Sequence, residues 1–265
     1  MGQTVKLKNI TLGEGRPKIC IPVVGKTKED ILKSAEEIIA LAPDVAEWRM
    51  DHFEEIEDLQ KARETACALR KVLKDTPLLC TFRTKAEGGE RNITAEDYVK
   101  INRLMMESGT ADAVDAELFF GKEGCDLSGF EVHEAVKEII RTARRCGTAV
   151  VGSNHDFHKT PAKEEIVARL CMMQKTGMDA AKIAVMPLRE TDVAVLLAAT
   201  AEMKEKHPEI PVITMAMGSM GMVSRLTGEA FGSVLTFGMA GQASAPGQIP
   251  ADDLRKVLEI IHRYL

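Results

Sequence analysis

Short apolar runs alternate along the whole chain with stretches whose apolar residues recur at helical spacing. The runs predict strands at 18–24 (KICIPVV), 45–51 (VAEWRMD), 78–83 (LLCTFR), 113–118 (AVDAEL), 148–157 (TAVVGSNHDF), 180–185 (AAKIAV), 212–217 (VITMAM) and 233–239 (SVLTFGM). In 28–42, Ile31, Ala35, Ile38, Ile39 and Ala42 form an i, i+4, i+7, i+8, i+11 stripe behind a Thr27 cap. Thr94 caps a helix over 95–108. Thr160-Pro161 opens another, with Ile166, Leu170 and Met173 on one face and Gly177 as its stop. A last helix covers 251–264.

Strands that alternate with helices imply a parallel sheet with right-handed crossovers. Eight such units in about 250 residues match the count and size of an α/β fold of the (β/α)8 (TIM) barrel class, one domain over 1–265. Segment 5–13 (VKLKNITLG) alternates Val5, Leu7, Ile10 and Leu12, and reads as a short N-terminal β-hairpin closing the barrel floor. No G-x-G-x-x-G turn follows the first strand, which argues against an open dinucleotide-binding sheet.

A barrel strand is buried on both faces and should read as continuous hydrophobics, so its polar residues carry information. In VAEWRMD the period of two puts Glu47, Arg49 and Asp51 on one face, with Trp48 and Met50 on the other. The charged trio then faces the barrel interior, as an ion-pair network or as chemistry. Asp51 reads as the network member. Arg83, Asp115, Glu117, Ser153 and His155 stand out in the same way near the C-terminal ends of their strands, where barrel enzymes keep their active sites.

Lys182 lies mid-strand between apolar residues. It is either paired with an inward carboxylate or a nucleophilic amine able to form a Schiff base with a carbonyl. His155 is the matching acid/base candidate, or else a satisfied core histidine. Glu47, Asp51, Glu117 and His155 are spread over three strands with no H-E-x-x-H spacing, so no metal is expected. Segment 218–225 (GSMGMVSR) opens a helix with Arg225, a fork suited to a carboxylate. Segment 240–249 (AGQASAPGQI) is rich in small residues and reads as a lid or a plain connection.

Composition narrows the partners. Of 265 residues, 35 are Lys or Arg and 40 are Asp or Glu, a net charge of -5, which excludes a nucleic-acid binder working by bulk charge. Aromatics are only 4%, against base stacking. No apolar run is long enough to span a membrane, and the start of the chain has no secretory pattern. None of the six cysteines forms a C-x-x-C pair, and most lie in apolar runs, so reduced core thiols and a cytoplasmic location are expected.

Seven motifs in order resemble the type I 3-dehydroquinate dehydratases of the shikimate pathway. They are GEGRPKIC (13–20), EWRMDHF (47–53), TFRTKAEGGE (81–90), SNHDFHKTP (153–161), AKIAVMP (181–187), SRLTGEAFGS (224–233) and QASAPGQI (242–249). The resemblance runs nearly end to end. It implies a cofactor-free syn dehydration of 3-dehydroquinate to 3-dehydroshikimate by a homodimeric lyase. It implies that Lys182 forms an imine with the ring ketone, that His155 moves the proton and that Glu87 orients the histidine. Arg225 then clamps the substrate carboxylate, while Glu47, Arg49 and Arg83 hold its hydroxyls. Met215 and Met217 line the ring with Phe237 behind, and Ser244 and Gln248 close over it. Pro22 stands where some relatives carry a serine, and 119–135 looks longer than in the shortest relatives. A different Schiff-base barrel, of aldolase or transaldolase type, would share the lysine but prefer a phosphorylated substrate. The Glu47–Arg49 face and Arg225 argue against it, and a barrel kept only for binding would not need Lys182, His155 and Glu87 together.

Overall fold

The computed structural model describes residues 3–122, 127–241 and 247–265. A hairpin opens it, β1 (Val5–Leu7) and β2 (Ile10–Leu12), paired antiparallel with Val5 opposite Leu12. Strands and helices then alternate: β3 (Lys18–Val23), α1 (Lys28–Ile39), β4 (Val45–Arg49), α2 (Leu59–Leu73), β5 (Leu78–Thr81), α3 (Ala95–Glu107), β6 (Ala113–Glu117), α4 (Glu134–Cys146), β7 (Ala149–Asp156), α5 (Lys163–Thr176), β8 (Ala180–Val185), α6 (Glu190–Lys206) and β9 (Val212–Ala216). Two short helices, α7 (Met222–Leu226) and α8 (Gly228–Phe231), lead to β10 (Leu235–Met239), β11 (Ile249–Pro250) and α9 (Ala251–Tyr264).

Strands β3 to β9 pair parallel in chain order, and β10 pairs with β3. The seam between β9 and β10 is tied by the Val234 N–H donating to Val212 O at 2.9 Å and the Thr214 N–H donating to Ser233 Oγ at 3.1 Å. The eight-stranded barrel class therefore stands, with β11 as an added strand beside β10.

Strand alternation sorts the side chains into two apolar layers. Ile19, Ile21, Trp48, Cys80, Val114 and Ile183 face outward and pack under the helices. Cys20, Val45, Leu79, Ala113, Val151, Ala180 and Leu235 face inward. Leu7 and Leu12 of the hairpin join that inner layer at 3% and 1% exposure, so the hairpin plugs the N-terminal end of the barrel. The opposite end is left for polar groups.

Several boundaries differ from the sequence reading. Helix α1 starts where expected, with Thr27 Oγ1 accepting from the Asp30 N–H and Asp30 Oδ2 accepting from the Thr27 N–H, both at 3.2 Å. It ends at Ile39 rather than 42, because Pro43 has no N–H to continue it and Ala42 turns to φ +47°. The strand expected over 45–51 stops at Arg49, where Met50–His52 form a single 3-10 turn. The strand expected over 78–83 stops at Thr81. Both shortenings fall at the polar end, where backbone groups leave the ladder to build loops. No helix of the described residues is long and apolar enough to cross a membrane.

Candidate active site

At the C-terminal end of the barrel lies a cavity of about 730 Å³, its open mouth included, in the size range of small-molecule sites. It is lined by Glu47, Arg49, Arg83, Glu87, His155, Lys182, Met215, Met217, Arg225, Phe237 and Gln248. Ser244 lies outside the described residues, as does most of the expected lid. Gly88, Phe157 and Ala184 line the cavity too and had no signal in the strand pattern. Four cations (Arg49, Arg83, Lys182, Arg225) face two carboxylates (Glu47, Glu87) among these lining residues, an excess that suits an anionic guest.

Lys182 is 4% exposed on β8. Its Nζ lies 3.6 Å from Asp115 Oδ2, 3.8 Å from Glu47 Oε1 and 4.6 Å from the centre of the Phe237 ring. Such spacing leaves the amine surrounded without a short carboxylate clamp. Both readings of this lysine thus have a footing, since carboxylates are near and the amine borders open space. Ser153 on β7 is in register with Lys182, and His155 with Ala184. His155 therefore stands one pleat nearer the mouth on the neighbouring strand, above the lysine.

Glu87 reaches His155 from a 3-10 turn, Lys85–Glu87, beyond the end of β5. Its Oε2 is 2.8 Å from His155 Nδ1 and accepts the His155 backbone N–H at 2.9 Å. Local geometry sets this turn. Gly88 takes φ +83°, which favours glycine, and the Gly89 N–H donates to Thr84 O at 2.8 Å. Glu117 anchors the start of the turn, accepting from the Thr84 N–H at 2.8 Å and from Thr84 Oγ1 at 2.6 Å.

Arg83 is the hub of the buried polar layer. Nη1 donates to Glu117 Oε1 at 2.7 Å and to Ser153 Oγ at 3.0 Å, and Nη2 donates to Asp115 Oδ2 at 2.9 Å. Ser153 Oγ in turn donates to Asp115 Oδ1 at 2.6 Å. The inward Asp115, Glu117 and Ser153 thus serve to satisfy Arg83 and the 83–87 segment. Arg49 forks onto Asp51, at 2.8 Å from Nε and 2.7 Å from Nη2. Burial pushes the Asp51 carboxyl up, but the Arg49 fork outweighs it and holds the group below its ordinary value. Asp51 also accepts the Glu90 N–H at 3.2 Å, so it acts as an internal ion pair that ties β4 to the 83–91 loop.

Titration tendencies follow the burial and the charges. Burial, with Arg83, Lys182 and Arg49 close by, pushes His155 well below the ordinary imidazole value, so the ring is neutral near pH 7. Burial, with Glu117 beside it, pushes Glu87 up against the pull of Arg83 and Asn154. Arg225 is 2% exposed on α7, and burial lowers it to about 10, which leaves it charged at neutral pH. Its Nη1 rests 3.5 Å from Met215 Sδ. A buried guanidinium beside a methionine wall is a ready seat for a carboxylate on a small apolar frame. Among the described residues no three His, Cys, Asp or Glu side chains are placed to hold a metal ion.

The profile of the type I 3-dehydroquinase family matches residues 19–264. The chain is 48% identical over 263 residues to a 3-dehydroquinate dehydratase of Clostridioides difficile, covering 99% of each chain. It is 47% identical over 265 residues to a 3-dehydroquinate dehydratase of Bacillus licheniformis, covering 100% of each. A solved type I 3-dehydroquinate dehydratase from Clostridium difficile, with covalent modified comenic acid, superposes at a TM-score of 0.93 with 47% identity over 100% of both chains.

Proposed function

We propose, from the premise that this chain belongs to the type I 3-dehydroquinase family and is a 3-dehydroquinate dehydratase, that the dehydration runs through an imine on Lys182. The observation that carries this reading is the placement of two groups on one cavity. A buried lysine amine and a neutral imidazole face it from adjacent, paired strands. The aldolase-type alternative loses its ground with the family membership.

The Lys182 free amine attacks the ring ketone, and the adduct loses water to a protonated imine. The imine draws electrons, so the neighbouring C–H bond breaks. Its proton goes to His155 and its electron pair forms an enamine. The enamine expels the hydroxyl on the next carbon, which takes the proton from His155 and leaves as water. A second water hydrolyses the imine, freeing product and lysine. No oxidant or reductant is consumed, and the two carbon-centred steps use one proton carrier, as a syn elimination requires.

The remaining lining residues hold the substrate in this reading. Arg225 takes the carboxylate, Glu47, Arg49 and Arg83 take the hydroxyls, and Met215, Met217 and Phe237 pack on the ring. Gln248, with Ser244, closes over it. The Clostridium difficile relative was solved with covalent modified comenic acid, which fits covalent chemistry in this family. The resemblance adds a homodimer, which sedimentation in solution tests, and a cytoplasmic location.

Separate variants distinguish the two roles. Lys182→Ala should abolish imine formation and turnover together. His155→Ala should still form the imine but turn over about 10²–10⁴-fold more slowly, the usual share of proton transfer. Equal failure of both variants at imine formation, followed by mass spectrometry, would contradict the division of labour.

A further inference from the structure

Behind the Glu87–His155 pair a line of polar contacts leaves the cavity and enters the helix layer. Arg169, on α5, is 2% exposed. Its Nη1 donates to Asn154 Oδ1 at 2.8 Å and lies 3.9 Å from Asp156 Oδ2. Its Nη2 pairs with Glu165, and the guanidinium carbon sits 5.6 Å from the centre of the Phe119 ring. Asn154 is fully buried between Arg169 and Glu87, and its Nδ2 donates to Glu87 Oε1 at 3.4 Å. Neither Arg169 nor Asn154 lines the cavity.

The direction of this line follows from donor chemistry. A guanidinium only donates, so the Asn154 atom facing it must be the carbonyl oxygen. The amide nitrogen is then turned toward Glu87. Glu87 receives that N–H on Oε1, the His155 backbone N–H on Oε2 at 2.9 Å, and Arg83 Nη1 at 3.4 Å. Burial and Glu117 push Glu87 toward the acid, but each of its oxygens already faces an N–H donor, and those contacts stabilise the carboxylate. A carboxylate Oε2 can only accept from His155 Nδ1, so the imidazole proton stays on Nδ1 and the Nε2 lone pair is left for the substrate.

We propose that Arg169 and Asn154 are positioning residues that fix the His155 tautomer by holding the Asn154 amide toward Glu87. The proposal rests on the reading of His155 as the base in the dehydration. Asn154→Asp separates it from a merely structural role, because the new carboxylate keeps the Arg169 contact but cannot donate to Glu87. The folded variant should still form the imine, with kcat down about tenfold or more, a fraction of the roughly 10²–10⁴ that proton transfer contributes. The acid limb of kcat/KM should move to higher pH, since a second carboxylate near the ring favours imidazolium. In nitrogen-15 spectra the Nδ1–H signature of His155 should give way to Nε2–H or to the charged ring. Arg169→Met should show the same spectral change, and Arg169→Lys, which restores a donor, should reverse it in part.

Should Asn154→Asp fail to fold, the two Arg169 variants decide the matter by the same readouts. Folded variants with parental kcat, acid limb and Nδ1–H signal would overturn the proposal. If His155→Ala in the parent leaves turnover undiminished, it is the reading of His155 as base that fails, whatever these variants do.

Discussion

In the proposed mechanism a single imidazole carries both proton transfers, and its charge state is set by its neighbours. His155 faces Arg83, Lys182 and Arg49 in a half-buried position, and burial plus these cations hold it neutral well below the ordinary value of 6.5. The base must be neutral to accept a proton, so kcat/KM follows the neutral fraction of the free enzyme. The acid limb should therefore stay flat as pH falls through 6.5 and drop only at lower pH. A limb with its midpoint near 6.5 in a pH series would show that the cations do not act on the ring. Most residues lining the site were legible one by one. Glu47, Arg49, Arg83, Lys182 and His155 are polar where a buried strand should be apolar. Arg169 was not, because Glu165 and Arg169 at i,i+4 look like an ordinary solvent pair on a helix. Only the fold buries that arginine under β7.

The 83–91 loop is the element that completes the site, and it obeys no strand or helix period. Glu87 had no signal in the alternation because it lies beyond the strand; the nearest local cue was the Gly88-Gly89 pair that follows it. In the structure Gly88 is left-handed, and a Cβ there would lie 2.3 Å from the Phe157 ring. Gly88→Ala should cost about 1–2 kcal/mol from the backbone conformation alone. It should also push Phe157 or the turn aside, which moves Glu87 away from His155. Thermal unfolding and steady-state kinetics check both effects. A variant with the parental Tm and kcat would show that the turn tolerates the methyl group and that Glu87 is not so tightly placed. Element ends were legible where a cap exists, as at Thr27 and Thr94, and less so where a proline ends a helix, as after Ile39, or a tight turn ends a strand, as after Arg49.

The molecule as a whole separates stability from chemistry along the barrel axis. Alternation, eight units and the N-terminal hairpin were enough to read the architecture, since each is a repeated pattern rather than a local detail. What no pattern gave was the network that joins Arg83 to Asp115, Glu117 and Ser153 across three strands, because pairing between distant strands depends on register. The hairpin plug at one end should matter for folding and not for substrate. Leu12→Ala removes a side chain 1% exposed in the inner layer, and should cost about 2–5 kcal/mol. KM of the folded enzyme should not change. Denaturant titration beside kinetics checks this, and a shifted KM would mean that the two ends are coupled. In the proposed mechanism the polar end works by covalent catalysis at Lys182. This is tested most directly by adding borohydride to the enzyme with 3-dehydroquinate and mapping the product by peptide mass. One reduced adduct is expected, on Lys182; no adduct, or an adduct on another lysine, would rule out covalent catalysis at this residue.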